Sequence, residues 1–128
     1  MKKLLLISIL LGSIILAGCE KQQGFSQEEL FDKKQECAKH KEDIEKDIAV
    51  RNFGNQIEVL QEIFYSPIKN TCMYKVRGKL STTLTNGETI NREREQVYDF
   101  FTKEMITGTN NPLNDEYFYS KLKELKGE

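Results

Sequence analysis

The apolar positions change their spacing along the chain, and each change predicts an element. From Leu4 to Leu16 they are nearly continuous, broken only by Ser8, Gly12 and Ser13. After a short polar stretch, Leu30, Cys37, Ile44 and Ile48 recur at helical spacing, with Phe31 and Ala38 beside them. Ser26 and Glu29 form a capping box ahead of that stripe, and Phe25 with Leu30 supplies a hydrophobic staple. Glu29–Lys33 and Glu42–Lys46 are favourable i,i+4 pairs for the solvated side. The pattern predicts one long helix ending at Asn52-Phe53-Gly54-Asn55, with Cys37 on its buried stripe.

From Ile57 the spacing becomes period two. Ile57, Val59, Ile63 and Tyr65 share a parity that Gln61 interrupts, while Leu60 and Phe64 add apolar weight to the other face. A turn at Ser66-Pro67-Ile68-Lys69-Asn70 separates this strand from the next. Thr71 to Thr85 alternates strictly. Cys72, Tyr74, Val76, Gly78, Leu80, Thr82 and Leu84 lie on one side, and Met73, Lys75, Arg77, Lys79, Ser81 and Thr83 on the other. That is an antiparallel strand with one wet face. Asn86-Gly87 predicts a type I′ hairpin turn.

A third strand is expected from about Glu88 to Ile106, polar in its first half and apolar in its second, so that the hairpin tip projects from the body. Asn114 is positioned to cap a last helix that runs to about Lys126 and buries Phe118, Leu122 and Leu125. Counting greasy faces gives the fold class: α+β, a long N-terminal helix packed on a three-stranded antiparallel sheet, with a short C-terminal helix. Residues 25–128 make one domain.

The apolar run that opens the chain is not part of that domain. It follows the basic Met1-Lys2-Lys3 and ends in the small residues Ala17-Gly18, the layout of a secretory signal peptide. A membrane span needs roughly 20 apolar residues, and this run is shorter. Its end, Leu16-Ala17-Gly18-Cys19, resembles the lipobox of bacterial lipoprotein precursors. The resemblance implies cleavage between Gly18 and Cys19 and a diacylglyceryl thioether on Cys19, often with a further acyl chain such as palmitate on the new amine. Each buried methylene adds about 0.8 kcal/mol, so two or three chains hold firmly where one does not. Residues 1–18 then form the signal peptide and 19–24 a short lipidated tether. The expected location is the cell membrane or the outer membrane, with the domain on the extracytoplasmic side.

A weaker resemblance lies in the sheet. Phe64-Tyr65-Ser66-Pro67-Ile68-Lys69-Asn70-Thr71-Cys72, followed by Met73-Tyr74 and later Tyr98-Asp99, is similar to a pattern in small exported bacterial proteins of unknown function. It implies no activity, only a strand–turn–strand with the cysteine in the second strand.

Charge narrows the partners. The chain carries 19 basic and 20 acidic residues, and loss of Lys2 and Lys3 with the signal peptide takes the net charge two units further negative. This balance argues against nucleic acid, which needs a clustered basic face. It also leaves anchoring to the lipid on Cys19 rather than to anionic headgroups.

Three cysteines are present. With Cys19 lipidated, Cys37 and Cys72 remain as an even pair in an exported protein, and a disulfide between them is the expected state. Two buried free thiols are the alternative. The helix stripe and the covered sheet face point the two cysteines toward each other. The bond would close a loop of about 36 residues, valued at roughly 3–4 kcal/mol by chain entropy.

Enzyme signatures are sparse. His40, the single histidine, sits between Lys39 and Lys41 and reads as a solvated side chain. No glycine-rich phosphate loop, HExxH or CxxC appears. Glu93 and Glu95 share a strand face, but the alternating Arg92 and Arg94 make a solvated hairpin arm the simpler reading. Among the aromatic residues, most are expected in the core, with Tyr117 and Tyr119 partly exposed. The expectation is therefore a non-enzymatic binding or interaction module of the cell envelope, facing an envelope protein or glycan, without cofactor or metal. An immunity, inhibitor or prophage exclusion lipoprotein is the alternative. An envelope hydrolase is a third possibility and would require Glu93, Glu95, Asp99 or His40 to converge in a cleft.

Overall fold

The computed structural model describes residues 24–128. The expected signal peptide, Cys19 and most of the expected tether lie outside the described residues. The domain is α+β, with helices α1 (Gln27–Ala38), α2 (Lys41–Arg51) and α3 (Glu116–Lys126) and strands β1 (Gln56–Ser66), β2 (Thr71–Thr83), β3 (Thr89–Asp99) and β4 (Met105–Thr109). The strands form one antiparallel sheet in the order β1-β2-β3-β4.

The N-terminal helical segment starts as its sequence dictates. Ser26 Oγ accepts from Glu29 N, and Glu29 Oε2 accepts from Ser26 N, which closes the capping box. The single long helix expected from the stripe is instead two helices. At Lys39 and His40 the backbone tightens, with Lys39 N donating to Glu36 O and His40 N to Cys37 O, before α2 begins at Lys41. No proline or glycine marks this break. It falls where Cys37 is bonded to the sheet and where the His40 ring stacks on Phe100, with centroids 4.3 Å apart.

The sheet has four strands rather than three. The expected third strand reverses after Asp99, whose carboxylate accepts from Phe101 N and Thr102 N. Lys103 takes a positive φ of 62°, and the chain returns as β4 beside β3. A run of apolar residues through Phe100, Phe101 and Met105 conceals this turn from a periodicity argument.

In β1 the register slips between Leu60 and Glu62, opposite consecutive residues of β2. This bulge inverts the parity of the strand's first half. Glu58 therefore faces the helices and is buried, whereas Ile57 and Val59, which share the sequence parity of the buried Tyr65, are exposed on the other face. The β2–β3 turn is not type I′. Only Gly87 has positive φ, and Gly87 N donates to Leu84 O while Leu84 N donates to Glu88 O. This is the three-residue loop with a glycine bulge. The last helix is capped by Asp115, not Asn114, with Asp115 Oδ1 accepting from Phe118 N at 2.9 Å.

Two cores result, one on each sheet face. Cys37, Ile44 and Ile48 of the helical layer pack with Tyr65, Cys72, Tyr74 and Val76. Phe118, Leu122 and Leu125 of α3 cover Phe64, Met73 and Val97 on the opposite face, so that face is only partly wet. β1 ends its pairing with β2 at Gln56–Leu80, and the hairpin continues beyond it with Thr82 to Thr89 exposed. The expected projecting tip is present.

Candidate functional site

The helical layer is fixed to the sheet at both ends, and each end carries a group of chemically distinct side chains. At the β1–β2 turn end, Cys37 and Cys72 form a disulfide, with Cα atoms 5.3 Å apart. Beside it a cleft of about 330 Å³ is lined by Lys33, Lys39, His40, Tyr65, Asn70 and Phe101, among others. Tyr65 Oη donates to Asn70 Oδ1 at 2.6 Å, which holds Asn70 in its positive-φ conformation. Burial pushes the Tyr65 hydroxyl's pKa up, against the opposing pull of Lys33. His40 is half-buried between Phe100 and Phe101, not a solvated side chain.

At the hairpin end the centre is Glu58, whose side chain is almost wholly enclosed. One oxygen accepts from Arg51 Nε at 3.0 Å and the other from Arg94 at 2.7 Å. Arg51 also donates to Tyr74 Oη at 2.9 Å and lies over the Tyr98 ring at 4.5 Å. Burial would lower the Arg51 pKa, but the hydrogen bonds to Tyr74 and Glu58 together outweigh it and raise it. For Tyr98 burial acts in the other direction and raises the hydroxyl's pKa, reinforced by the Glu58 charge.

Gly78 makes this cluster possible. It lies between Glu58 of β1 and Arg94 of β3, and a Cβ there would stand 3.0 Å from Arg94 Nε. Asn52 completes the end. Its side-chain amide accepts from Glu58 N at 2.6 Å and donates to Glu58 O at 3.0 Å, pairing with the outer edge of β1 as a neighbouring strand would.

A second buried carboxylate, Glu95, lies on the α3 face. It meets Lys75 at 3.4 Å and Arg77 at 3.2 Å and accepts from Tyr119 Oη at 3.2 Å. The solvated-arm reading therefore fails for Glu95, which is buried, and holds for Glu93, which is exposed and pairs with Lys79 at 3.6 Å. Tyr119 is half-buried through its bonds to Glu95 and Pro112 O, while Tyr117 is exposed.

The four residues a hydrolase would need are not brought together. Asp99 caps the β3–β4 turn, His40 stacks between aromatic rings, Glu95 is held by two cations on the α3 face, and Glu93 is on the arm. Glu58, which alternation alone could not place, is the most elaborately coordinated acid. The available signal was the glycine in a long β strand, since Gly78 marks a close approach. Among the described residues, no group of three or more His, Cys, Asp or Glu is placed to hold a metal ion. Nor is any described helix long and apolar enough to cross a membrane.

Comparison of the chain with protein-family models, curated proteins and solved structures finds no match.

Proposed function

We propose that the chain is the precursor of a membrane-anchored lipoprotein whose domain is a non-enzymatic binding module of the cell envelope. The anchor rests on Leu16-Ala17-Gly18-Cys19 behind a basic n-region and an apolar run. The observation that carries the binding reading is the set of large apolar side chains left uncovered at the hairpin end. Val50 is 84% and Phe53 87% exposed at the end of the helical layer, and Ile57 and Val59 are exposed on the other face of β1. Isolated exposed apolar residues are ordinary, but four within the ten residues from Val50 to Val59, beside a projecting hairpin, suit a protein or glycan partner.

Photocrosslinking in cells tests this, with the reactive group at Phe53 or Thr85 and a Cys19→Ala form alongside. One envelope component captured repeatedly, and lost without the anchor, is the expected result. Labelling Cys19 with a palmitate analogue tests the anchor separately. Capture of nothing from either position, by a protein that is exported, folded and lipidated, would overturn the binding reading.

A further inference from the structure

We infer that the opposite end of the domain, formed by the Ser66–Thr71 and Phe100–Glu104 turns, docks on the surface of a phospholipid bilayer. The inference rests on the lipid anchor proposed above and adds an orientation to it.

The chain enters the domain at this end. Phe25 packs edge-to-face on Tyr65, with centroids 5.7 Å apart, and Tyr65 pairs with Cys72 immediately beyond the β1–β2 turn. From Gly24 back to Cys19 the chain spans at most about 17 Å. A lipid on Cys19 thus keeps this end close to the headgroups. The hairpin tip is about 40 Å further along β2, counted at strand rise. A tether this short raises the effective concentration of membrane at the near end, so weak contacts there suffice.

The near end is built for such contacts. The two turns emerge side by side, because Phe100 N donates to Cys72 O at 2.9 Å and Asn70 and Phe101 line one cleft. Each turn presents one large apolar side chain: Ile68 is 54% and Phe101 63% exposed. Lysines surround them. Lys33 is engaged by Glu36 and Lys103 by Asp47, whereas Lys39 and Lys69 are in no ion pair among the described residues. An aliphatic and an aromatic tip with cations beside them is the composition of an interfacial contact, the apolar groups entering the acyl boundary and the ammonium groups meeting phosphate. Acids lie at this end too, Glu36 in the cleft, Glu104 in the second turn and Glu128 after Gly127, which packs beside Pro67. The contact is therefore carried by the two apolar tips and the short tether, with Lys39 and Lys69 meeting lipid phosphate rather than a net positive face doing so.

The test uses the lipidated protein purified from membranes and reconstituted in vesicles of phosphatidylglycerol and phosphatidylethanolamine. Lysine acylation is followed site by site by mass spectrometry, with the same protein in detergent micelles as reference. Lys39 and Lys69 should react several-fold more slowly in vesicles, while Lys79 on the hairpin arm reacts at an unchanged rate. An Ile68→Ser/Phe101→Ser form, both sites being exposed, should fold and float with the vesicles yet lose the protection. Equal reactivity of Lys39 and Lys69 in vesicles and micelles would overturn docking and leave the anchor standing. Protection that persists in the double variant would also overturn it, since the tether alone would then explain the shielding. A chain that carries no lipid on Cys19 and does not float would overturn the anchor and the docking together.

Discussion

The two ends of the helical layer are tied to the sheet by opposite kinds of chemistry. At the β1–β2 turn end the tie is covalent, Cys37 to Cys72. At the hairpin end it is ionic, Arg51 and Arg94 converging on Glu58, with the Asn52 amide bonded to the Glu58 backbone. The covalent tie acts chiefly by restricting the unfolded chain and is indifferent to salt. The ionic tie acts in the folded state and depends on every partner being present, because one removed charge strands the others. A small domain that places one of each at either end resists reductant and loss of charge separately, but not both at once.

The largest effect should come from the covalent end. A Cys37→Ala/Cys72→Ala form should lose roughly 3–4 kcal/mol, read as a lower urea midpoint. The native protein should show the same drop on adding reductant, and an unmoved midpoint would mean that the bond contributes nothing. At the ionic end, Glu58→Ala should cost about 3 kcal/mol by leaving Arg51 and Arg94 facing one another without a counter-charge. That loss should be unaffected by reductant, which sets the two ends apart. Combined, the losses should add to within about 0.5 kcal/mol if the ends are independent, and a clear departure would show that the layer detaches as a unit.

A smaller effect sharpens the ionic end. Asn52→Ala removes two hydrogen bonds and should cost about 1–2 kcal/mol. It also uncovers the β1 edge at Glu58, so light scattering should report self-association that the Glu58→Ala form does not show. The smallest effect is acid sensitivity at neither tie but at the helix starts. Glu29 is held below its ordinary 4.5 by the backbone and then the side chain of Ser26, and Asp115 below its ordinary 3.8 by Thr109 and then Phe118 N. Both pKa values are depressed on folding, so the stabilisation is complete above those ordinary values and disappears as pH falls through the folded-state ones. Helix content followed by circular dichroism should decline over that acid range in wild type and less in an Asp115→Asn form.

Where the sequence was legible, one physical rule governed the segment alone. The strict alternation of β2 predicts its faces, and Ser26 with Glu29 predicts the start of α1, because each is a local pattern. The cysteine pairing was also legible, since two independent periodicities pointed Cys37 and Cys72 at each other. What was not legible depends on partners distant in the chain. The buried Glu58 looks like a surface acid until Arg51, Arg94 and Gly78 are beside it. His40 looks solvated until the Asp99 turn brings Phe100 to it. The turn itself hides because Phe100 and Phe101 continue the apolar run that a strand would have. The helix break at Lys39 and His40 leaves the hydrophobic stripe intact, so periodicity passes over it.

The bulge at Gln61 gives β1 a second use for the same residues. Paired residue for residue without it, Ile57, Val59, Gln61, Ile63 and Tyr65 would share one face under the helices. With it, the first half turns over, an acid goes under the helices and two aliphatic residues come out. Because Gln61 is the extra residue, deleting it would straighten the strand yet keep Leu60 opposite Val76, leaving Glu58 with its arginines and Ile57 and Val59 uncovered. Burying that aliphatic pair would instead take a one-residue slide of the first half of β1 against β2, which would expel Glu58.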